Sequence, residues 1–401
     1  MRVLLSTYGT RGDVEPLVAL AVRLTERGAR VRMCAPPDEE FARRLAGLGI
    51  ETVPVGPPVK EMMRGAALPS AADLARYRDA LQDTQFELLP GAVEGCDVLV
   101  AAGLGQTAAR SVAEAAKVRY VHVSYAAVHL PSPHHAPPPR PGWPEPEDAD
   151  NLTLWERDAE LLDGQYAESL NAHRAALGLP SVTNVRDHVL TDRPWLAADP
   201  ALGPWQQAPG LDVTQTGTWS LPDERPLPAD LVAFLEAGTP PVYVGFGSMN
   251  PAADIVPGLI AELRARGRRA LVSRGWAELG LIDDGDDCFA LGEANHQRLF
   301  GRVAAVVHHG GAGTTVTAAR AGVPQLLVTA RISDNPYWAG RVEELGIGVA
   351  LQGPAPSAES LRSALTAVLS PGTRARAAAV GAEVRTDGAE TAADLLMAGG
   401  S

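Results

Sequence analysis

Twice in this chain a short apolar run ends in glycines and gives way at once to a helical pattern. Near the start, Val3-Leu4-Leu5 leads into STYGTRGDVEPLVAL at residues 6–20. In the far half, residues 304–308 lead into the stretch HHGGAGTTVTAARAG, which begins at His308. A strand that turns through glycine straight into a helix is half of a strand–helix–strand crossover, the unit from which parallel sheets are built. Around the first junction, residues 15–27 carry Leu17, Leu20, Ala21 and Leu24 on one helical face, with Gly28 as the stop. Strands are predicted at 31–35, 97–101 and 120–124, with helices at 41–48 and 106–116, and 155–177 is helical in period. Around the second junction, strands are predicted at 240–248, 269–273, 304–308, 325–329 and 349–351 with helices between them. A parallel sheet of this kind is covered on both faces. The expected fold class is α/β, with two Rossmann-like doubly wound domains of similar architecture and no sequence period.

Two stretches interrupt the alternation. Residues 130–150 hold eight prolines and cannot be regular structure. The stretch is too long for an idle connection and reads as a binding loop. Residues 204–228 are rich in Pro and Gly and lack periodicity. The expected division is a first domain over 1–205, a linker over 206–225, a second domain over 226–380 and a final helix within 381–401 that packs on either domain.

Composition removes several functions. The net charge is −13, and the only lysines are Lys60 and Lys117. No concentrated basic face for a nucleic acid can form. No run of about 18 apolar residues suggests a membrane span, and the N-terminus opens into a strand rather than a signal peptide. Cys34, Cys96 and Cys288 are the three cysteines, and no CxxC occurs. Zinc or a disulfide framework is not expected, and a cytoplasmic location is. The 40 glycines and 33 prolines suggest a bacterium with a GC-rich genome.

At the second junction, Gly310, Gly311 and Gly313 let a ligand approach the backbone. The free N–H groups of the following helix carry partial positive charge. That is an anion site, suited to phosphate. His309 adds a ring donor, and Thr314 and Thr315 add hydroxyls. Neither G-x-G-x-x-G after the first strand nor G-x-x-x-x-G-K-[ST] is present, which disfavours dinucleotide-dependent hydride transfer and Walker-type ATP hydrolysis. Downstream, Asp334-Asn335 ends a loop after the 325–329 strand, with Pro336 opening a helix. Ligands of doubly wound sheets sit beyond the carboxyl ends of the strands, and a carboxylate beside an amide suits sugar hydroxyls.

Together RVLLSTYGTRGDVEPLVALA, PVYVGFGS, SRGW, HHGGAGTT and DNPYWAGRVEELGIGV resemble the family-1 glycosyltransferases with the GT-B fold. The stretches RMCAPPD, TDRPWLAADP, QTGTWSLPDERPL and FGRVAAVVHHGGAGTT resemble the bacterial members that glycosylate vancomycin-group glycopeptide aglycones. The likeness runs nearly end to end. It implies an inverting, metal-independent enzyme that moves a sugar from a UDP- or dTDP-sugar to a hydroxyl, with a phenol of a heptapeptide aglycone as the expected acceptor. The expected co-substrate is the nucleotide sugar, with no cofactor, and the expected state is a monomer. The second domain would take the diphosphate through Ser248, His309, Gly311, Ala312, Gly313 and Thr314, with Thr10 either reaching it from the first domain or steering Asp13. Arg274, Trp276 and Gln297 would frame the nucleoside. Asp334 and Asn335 would meet the donor sugar, and Asp334 joins Asp13 in the catalytic set.

The resemblance casts Asp13 as general base. In the sequence it stands at the expected N-cap of the first helix, which places Pro16 at N3 and leaves Glu15 to supply the usual cap bond. A carboxylate at a helix start is expected to have a lowered pKa. Pairs of Asp-x-Asp at 148/150 and 284/286 read as solvated turns rather than metal ligands, as do His129, His134 and His135 on their proline-rich loop. Residues 56–80 and 130–150 are the expected acceptor walls. A nucleotide-sugar epimerase of the same fold, or transfer to another natural product, stays open as the alternative.

Overall fold

The computed structural model describes residues 1–63, 70–140, 149–247, 255–275, 285–353 and 356–399. The first sheet arises from β1 (Arg2–Thr7), α1 (Arg11–Glu26), β2 (Arg30–Ala35), α2 (Glu39–Gly47), β3 (Glu51–Pro54), α3 (Val59–Met63), α4 (Ala71–Val93), β4 (Val98–Ala102), α5 (Ala109–Ala116), β5 (Arg119–Ser124), α6 (Asn151–Ala176), α7 (Val185–Leu190), β6 (Trp195–Leu196) and β7 (Thr214–Gln215). Its strand order is β3-β2-β1-β4-β5-β6-β7, and every pairing is parallel. The second sheet arises from α8 (Ala229–Glu236), β8 (Val242–Gly245), α9 (Ile255–Arg264), β9 (Ala270–Ser273), β10 (Cys288–Leu291), α10 (His296–Leu299), β11 (Ala305–His308), α11 (Ala312–Arg320), β12 (Gln325–Thr329), α12 (Asn335–Glu344) and β13 (Gly348–Gln352). Its order is β10-β9-β8-β11-β12-β13, again parallel. Helices α13 (Ala358–Val368), α14 (Pro371–Gly381) and α15 (Gly388–Ala398) complete the chain.

Both sheets are buried on both faces, as all-parallel sheets must be. All five residues of β4 are buried, because Leu99 and Ala101 pack under α4 and α5 while Val98, Val100 and Ala102 face α1. In the second domain, Val242 and Val244 pack toward α9 and α13, and Tyr243 turns to the opposite layer with Phe300. In each sheet the strand order reverses beside a central strand: between β1 and β4, and between β8 and β11. Doubly wound sheets open their ligand crevices at such points. The two glycine junctions follow β1 and β11, so each lies at the reversal of its own sheet.

Several elements differ from the sequence reading. Helix α1 starts at Arg11 rather than 15, and Pro16 lies inside it. Residues 71–93 form a long helix, α4, opened by Ser70, whose hydroxyl accepts the Asp73 N–H at 3.1 Å. The short β3, β6, β7 and β10 carry little periodicity and escape the reading. Thr214–Gln215 lies within the expected linker yet pairs with β6 in the first sheet. Helix α15 packs on α1: Ala389, Ala392, Ala393 and Leu396 join Leu17 and Leu20 in one core, and Arg27 Nε donates to Asp394 at 2.6 Å. Where the chain crosses to reach it, Gly217 and Gly388 touch backbone to backbone. A Cβ on Gly388 would lie 2.5 Å from the Thr218 carbonyl oxygen.

Candidate active site

The first junction closes on itself. Thr10, not Asp13, is the N-cap of α1, and Asp13 occupies N3. From there its Oδ2 accepts the Thr10 backbone N–H at 2.8 Å, the acidic half of a capping box. Gly9 makes this possible. Its φ is +144°, and a Cβ there would stand 2.1 Å from Asp13 Oδ2. The Asp13 carbonyl is held by two donors, Thr7 Oγ1 at 3.1 Å and Tyr125 Oη at 3.0 Å. Tyr125 comes from the end of β5. Burial raises its pKa well above the usual value, with the Asp13 charge adding to it, so the phenol keeps its proton.

Asp13 is only partly exposed, with protein crowding its carboxylate. Burial pushes its pKa up to about 7, against the bond from Thr10 and with help from the charge of Asp334. The expected lowering fails because loss of hydration outweighs the helix start. The result is a carboxylate that titrates near neutrality, where a general base works best.

The second junction is built differently. Gly311 is the N-cap of α11, no side chain caps the helix, and its first turn holds no acid. The first backbone bond, Thr315 N–H to Gly311, follows the amides of Ala312, Gly313 and Thr314. Thr315 Oγ1 is committed to the Gly311 carbonyl at 3.0 Å. His309 lies in a slot between glycines: a Cβ on Gly311 would meet its Nε2 at 2.5 Å, and one on Gly247 would meet its Cε1 at 3.3 Å. Burial pulls its pKa down to about 4, opposed by Asp334, so the ring is neutral at pH 7 and offers one N–H. Its buried Nδ1 has no partner among the described residues.

Asp334 is the N-cap position of α12, and its Oδ2 accepts the indole N–H of the buried Trp338 at 2.8 Å. This i,i+4 bond aims a carboxylate whose charge is felt by Asp13, His309 and His129. Asn335 beside it is buried. His129, which follows β5, reaches across the cleft to Ser333 Oγ at 3.5 Å. Arg11 at the start of α1 pairs with Glu40 of its own domain and with Glu293 of the other.

The predicted site residues are therefore brought together in part. Thr10 and Asp13 stand at one junction and His309 with Gly311, Ala312, Gly313 and Thr314 at the other, and the charge of Asp334, beside Asn335, reaches both Asp13 and His309. Arg274 stands exposed at the end of β9, beside a glycine turn in which a Cβ on Gly275 would meet the Gly247 carbonyl oxygen at 2.5 Å. Gln297 is turned elsewhere: its amide donates to the Leu221 carbonyl at 2.7 Å and accepts from Asp223 N–H at 3.1 Å, holding the linker. Ser248, Trp276, Asp148 and Asp284 lie outside the described residues. Asp150 caps α6 through the Thr153 N–H at 2.9 Å. Among the described residues no group of three or more His, Cys, Asp or Glu is placed to hold a metal, and no helix is long and apolar enough to cross a membrane. The sequence reading did not single out Tyr125 or Trp338, and weighed His129 only as a metal ligand. Only Trp338 left a usable signal, four residues after Asp334 on a helix.

Known proteins resemble this chain along nearly its whole length. Residues 3–127 match the glycosyltransferase family 28 N-terminal domain, and residues 296–394 match the erythromycin biosynthesis protein CIII-like C-terminal domain. The chain is 54% identical to the glycosyltransferase GtfE of Amycolatopsis orientalis, covering 99% of this chain and 97% of that protein. It is 52% identical to the vancomycin aglycone glucosyltransferase of the same organism, with the same coverage. It is 48% identical to its dTDP-epi-vancosaminyltransferase, over 95% of this chain and 93% of that one. Among solved structures, the glycosyltransferase of kitacinnamycin superposes with a TM-score of 0.75 at 19% identity, covering 99% and 98% of the two chains. The glycosyltransferase VinC in complex with dTDP gives 0.70 at 20%, covering 99% of each. These last two carry the fold alone. The chain belongs to the glycosyltransferases of the vancomycin group and is an enzyme of sugar transfer on the two-domain GT-B fold.

Proposed function

We propose that this enzyme transfers a sugar from a UDP- or dTDP-sugar to a phenolic hydroxyl of a glycopeptide aglycone, in one displacement with inversion. The observation that carries the reading is the pairing of a partly buried, near-neutral carboxylate at one helix start with an uncapped helix start and a neutral imidazole in the facing domain. The names of two relatives support the acceptor class and a dTDP-sugar among the donors.

Asp13 takes the proton from the acceptor hydroxyl as its oxygen attacks the anomeric carbon. The bond from that carbon to the diphosphate oxygen breaks on the opposite face. The departing charge gathers on the phosphates, where the amides of Ala312, Gly313 and Thr314, the positive end of α11 and the His309 N–H receive it. These groups supply the stabilisation that a divalent cation gives elsewhere. A phenol, with a pKa of about 10, is within reach of a base near 7, whereas an aliphatic alcohol is a harder task. Asp334, fixed by Trp338, and Asn335 orient the donor sugar. Asparagine is one methylene shorter than the glutamine common in glucose-using relatives, which bears on the hydroxyl it reaches. Asp148, Asp150, Asp284 and Asp286 take no part. Both walls of the cleft come from one chain, which is consistent with a monomer.

The test is mass spectrometry of glycopeptide aglycones incubated with a panel of UDP- and dTDP-sugars, with and without EDTA. The expected result is a single added sugar on a phenol in both conditions. Isomerised donor with no acceptor product would replace the reading with an epimerase.

A further inference from the structure

The residue next to His309 has no assigned part, yet its environment is more constrained. His308 ends β11, is fully buried, and uses both ring nitrogens. Its Nδ1 accepts the Gly310 backbone N–H at 3.1 Å. Its Nε2 lies 2.9 Å from Gln325 Oε1, at the start of β12. The Gln325 amide in turn donates to the Thr315 carbonyl in the first turn of α11 at 3.2 Å. The directions fix one another. A backbone N–H can only donate, so Nδ1 is the acceptor and the proton is on Nε2. The Gln325 oxygen must then face the ring, and its amide nitrogen must face the carbonyl of Thr315.

We propose that His308 and Gln325 are positioning residues for the donor diphosphate: they turn the Gly310 N–H inward and thereby set the turn whose following amides receive the phosphates. This rests on the diphosphate reading above.

The turn needs such a device. Gly310 has φ +97°, and a Cβ there would press on Thr329 Cγ2 at 3.0 Å, so its peptide is held in a conformation that few contacts specify. An inward N–H requires an acceptor, because a buried donor without one is costly. A carboxylate would accept it but would set a negative charge beneath the site of an incoming anion. A neutral imidazole accepts without charge. Burial pulls the His308 pKa down to about 3, with the neighbouring His309 lowering it further, so the ring stays neutral. The second arm of the relay ties the same turn to α11, since Gln325 grips that helix at Thr315. Bonds running in one direction, N–H to ring to amide to carbonyl, also polarise one another.

Two near-isosteric substitutions separate the two arms. In His308→Asn the amide oxygen falls close to the former Nδ1 and can still accept from Gly310, while contact with Gln325 is lost. In His308→Gln the amide nitrogen falls close to the former Nε2 and keeps Gln325, while Gly310 loses its acceptor. The expected result is a donor KM, and a Kd for UDP or dTDP by calorimetry, that rise at least about tenfold in His308→Gln and His308→Leu but stay within about threefold in His308→Asn, with the acceptor KM unchanged in all three. Equal donor constants in the Asn and Gln variants overturn the proposal. If the variants fail to fold, nitrogen-15 spectra of the wild-type ring decide: protonation at Nε2 with Nδ1 as acceptor is required, and the opposite tautomer overturns it. Wild-type protein that binds UDP or dTDP without shifting the amides of Gly311 to Thr314 overturns the diphosphate reading and the relay together. Shifted amides with indistinguishable variants remove only the relay.

Discussion

The two glycine junctions share a topology and differ in what they do with their helix starts. At α1 the chain supplies its own anion: Asp13 at N3 reaches back to the Thr10 N–H, and Gly9 leaves room for it. At α11 the equivalent position is Thr314, the first turn holds no acid, and no side chain caps the helix. One start is self-satisfied and holds a carboxylate in place. The other presents its amides outward. On the proposed mechanism, the comparison teaches that a strand–glycine–helix unit becomes base or anion site according to the residue three places past the cap.

Exchanging that residue should break the comparison, beginning with the largest effect. Asp13→Asn keeps the shape and the Thr10 contact but removes the base, and kcat is expected to fall about a thousandfold with the Kd for UDP or dTDP unchanged. Steady-state kinetics beside calorimetry checks this, and near-normal turnover would remove Asp13 from the base role. Gly9→Ala forces a methyl against Asp13 Oδ2, so kcat should fall about a hundredfold through misplacement alone, again with donor affinity intact. Thr314→Asp turns the second junction into a copy of the first. The new carboxylate would satisfy the helix start and repel phosphate, so donor Kd should rise about thirtyfold while the protein gains about 0.5 kcal/mol.

Acid should act on one junction only. With Asp13 titrating near 7, kcat/KM is expected to drop about tenfold from pH 8 to pH 6, and a flat profile would count against it as base. The smallest effect is on stability. A carboxylate whose pKa is raised by folding holds its proton in the native state at pH values where the unfolded chain has lost it. Stability therefore falls as pH rises from about 4 through 7. Asp13→Asn removes that loss, so the variant should be more stable than wild type by about 1 kcal/mol at pH 8, with the difference gone below pH 4. Melting curves across that range measure it.

Most of this architecture was legible in the sequence because parallel strands buried on both faces are written as apolar runs, and β1, β2, β5, β11 and β12 all read that way. The strands that escaped are two to four residues long or sit at sheet edges, where burial imposes less pattern. The start of α1 was misplaced because its apolar face begins only at Val14 and Pro16 imitates a helix opening. A proline inside the helix leaves the Gly12 carbonyl without its intrahelical donor. That shift moved Asp13 from N3 to N-cap on paper, and its expected pKa came out inverted because local capping is visible in sequence whereas burial by residues distant in the chain, such as Tyr125, is not. The turn at Gly310 was legible because its positive φ demands glycine. The bonds of Gln297 to Leu221 and Asp223 were not legible, because an exposed amide shows no sign of its partner in sequence.

Helix α15 covers α1, so a helix made early on the ribosome is roofed by one made much later. Until α15 emerges, Leu17, Leu20 and their neighbours lack that cover, and the first domain must await it before it can settle. Removing the last helix would accordingly unravel the domain at the other end of the chain.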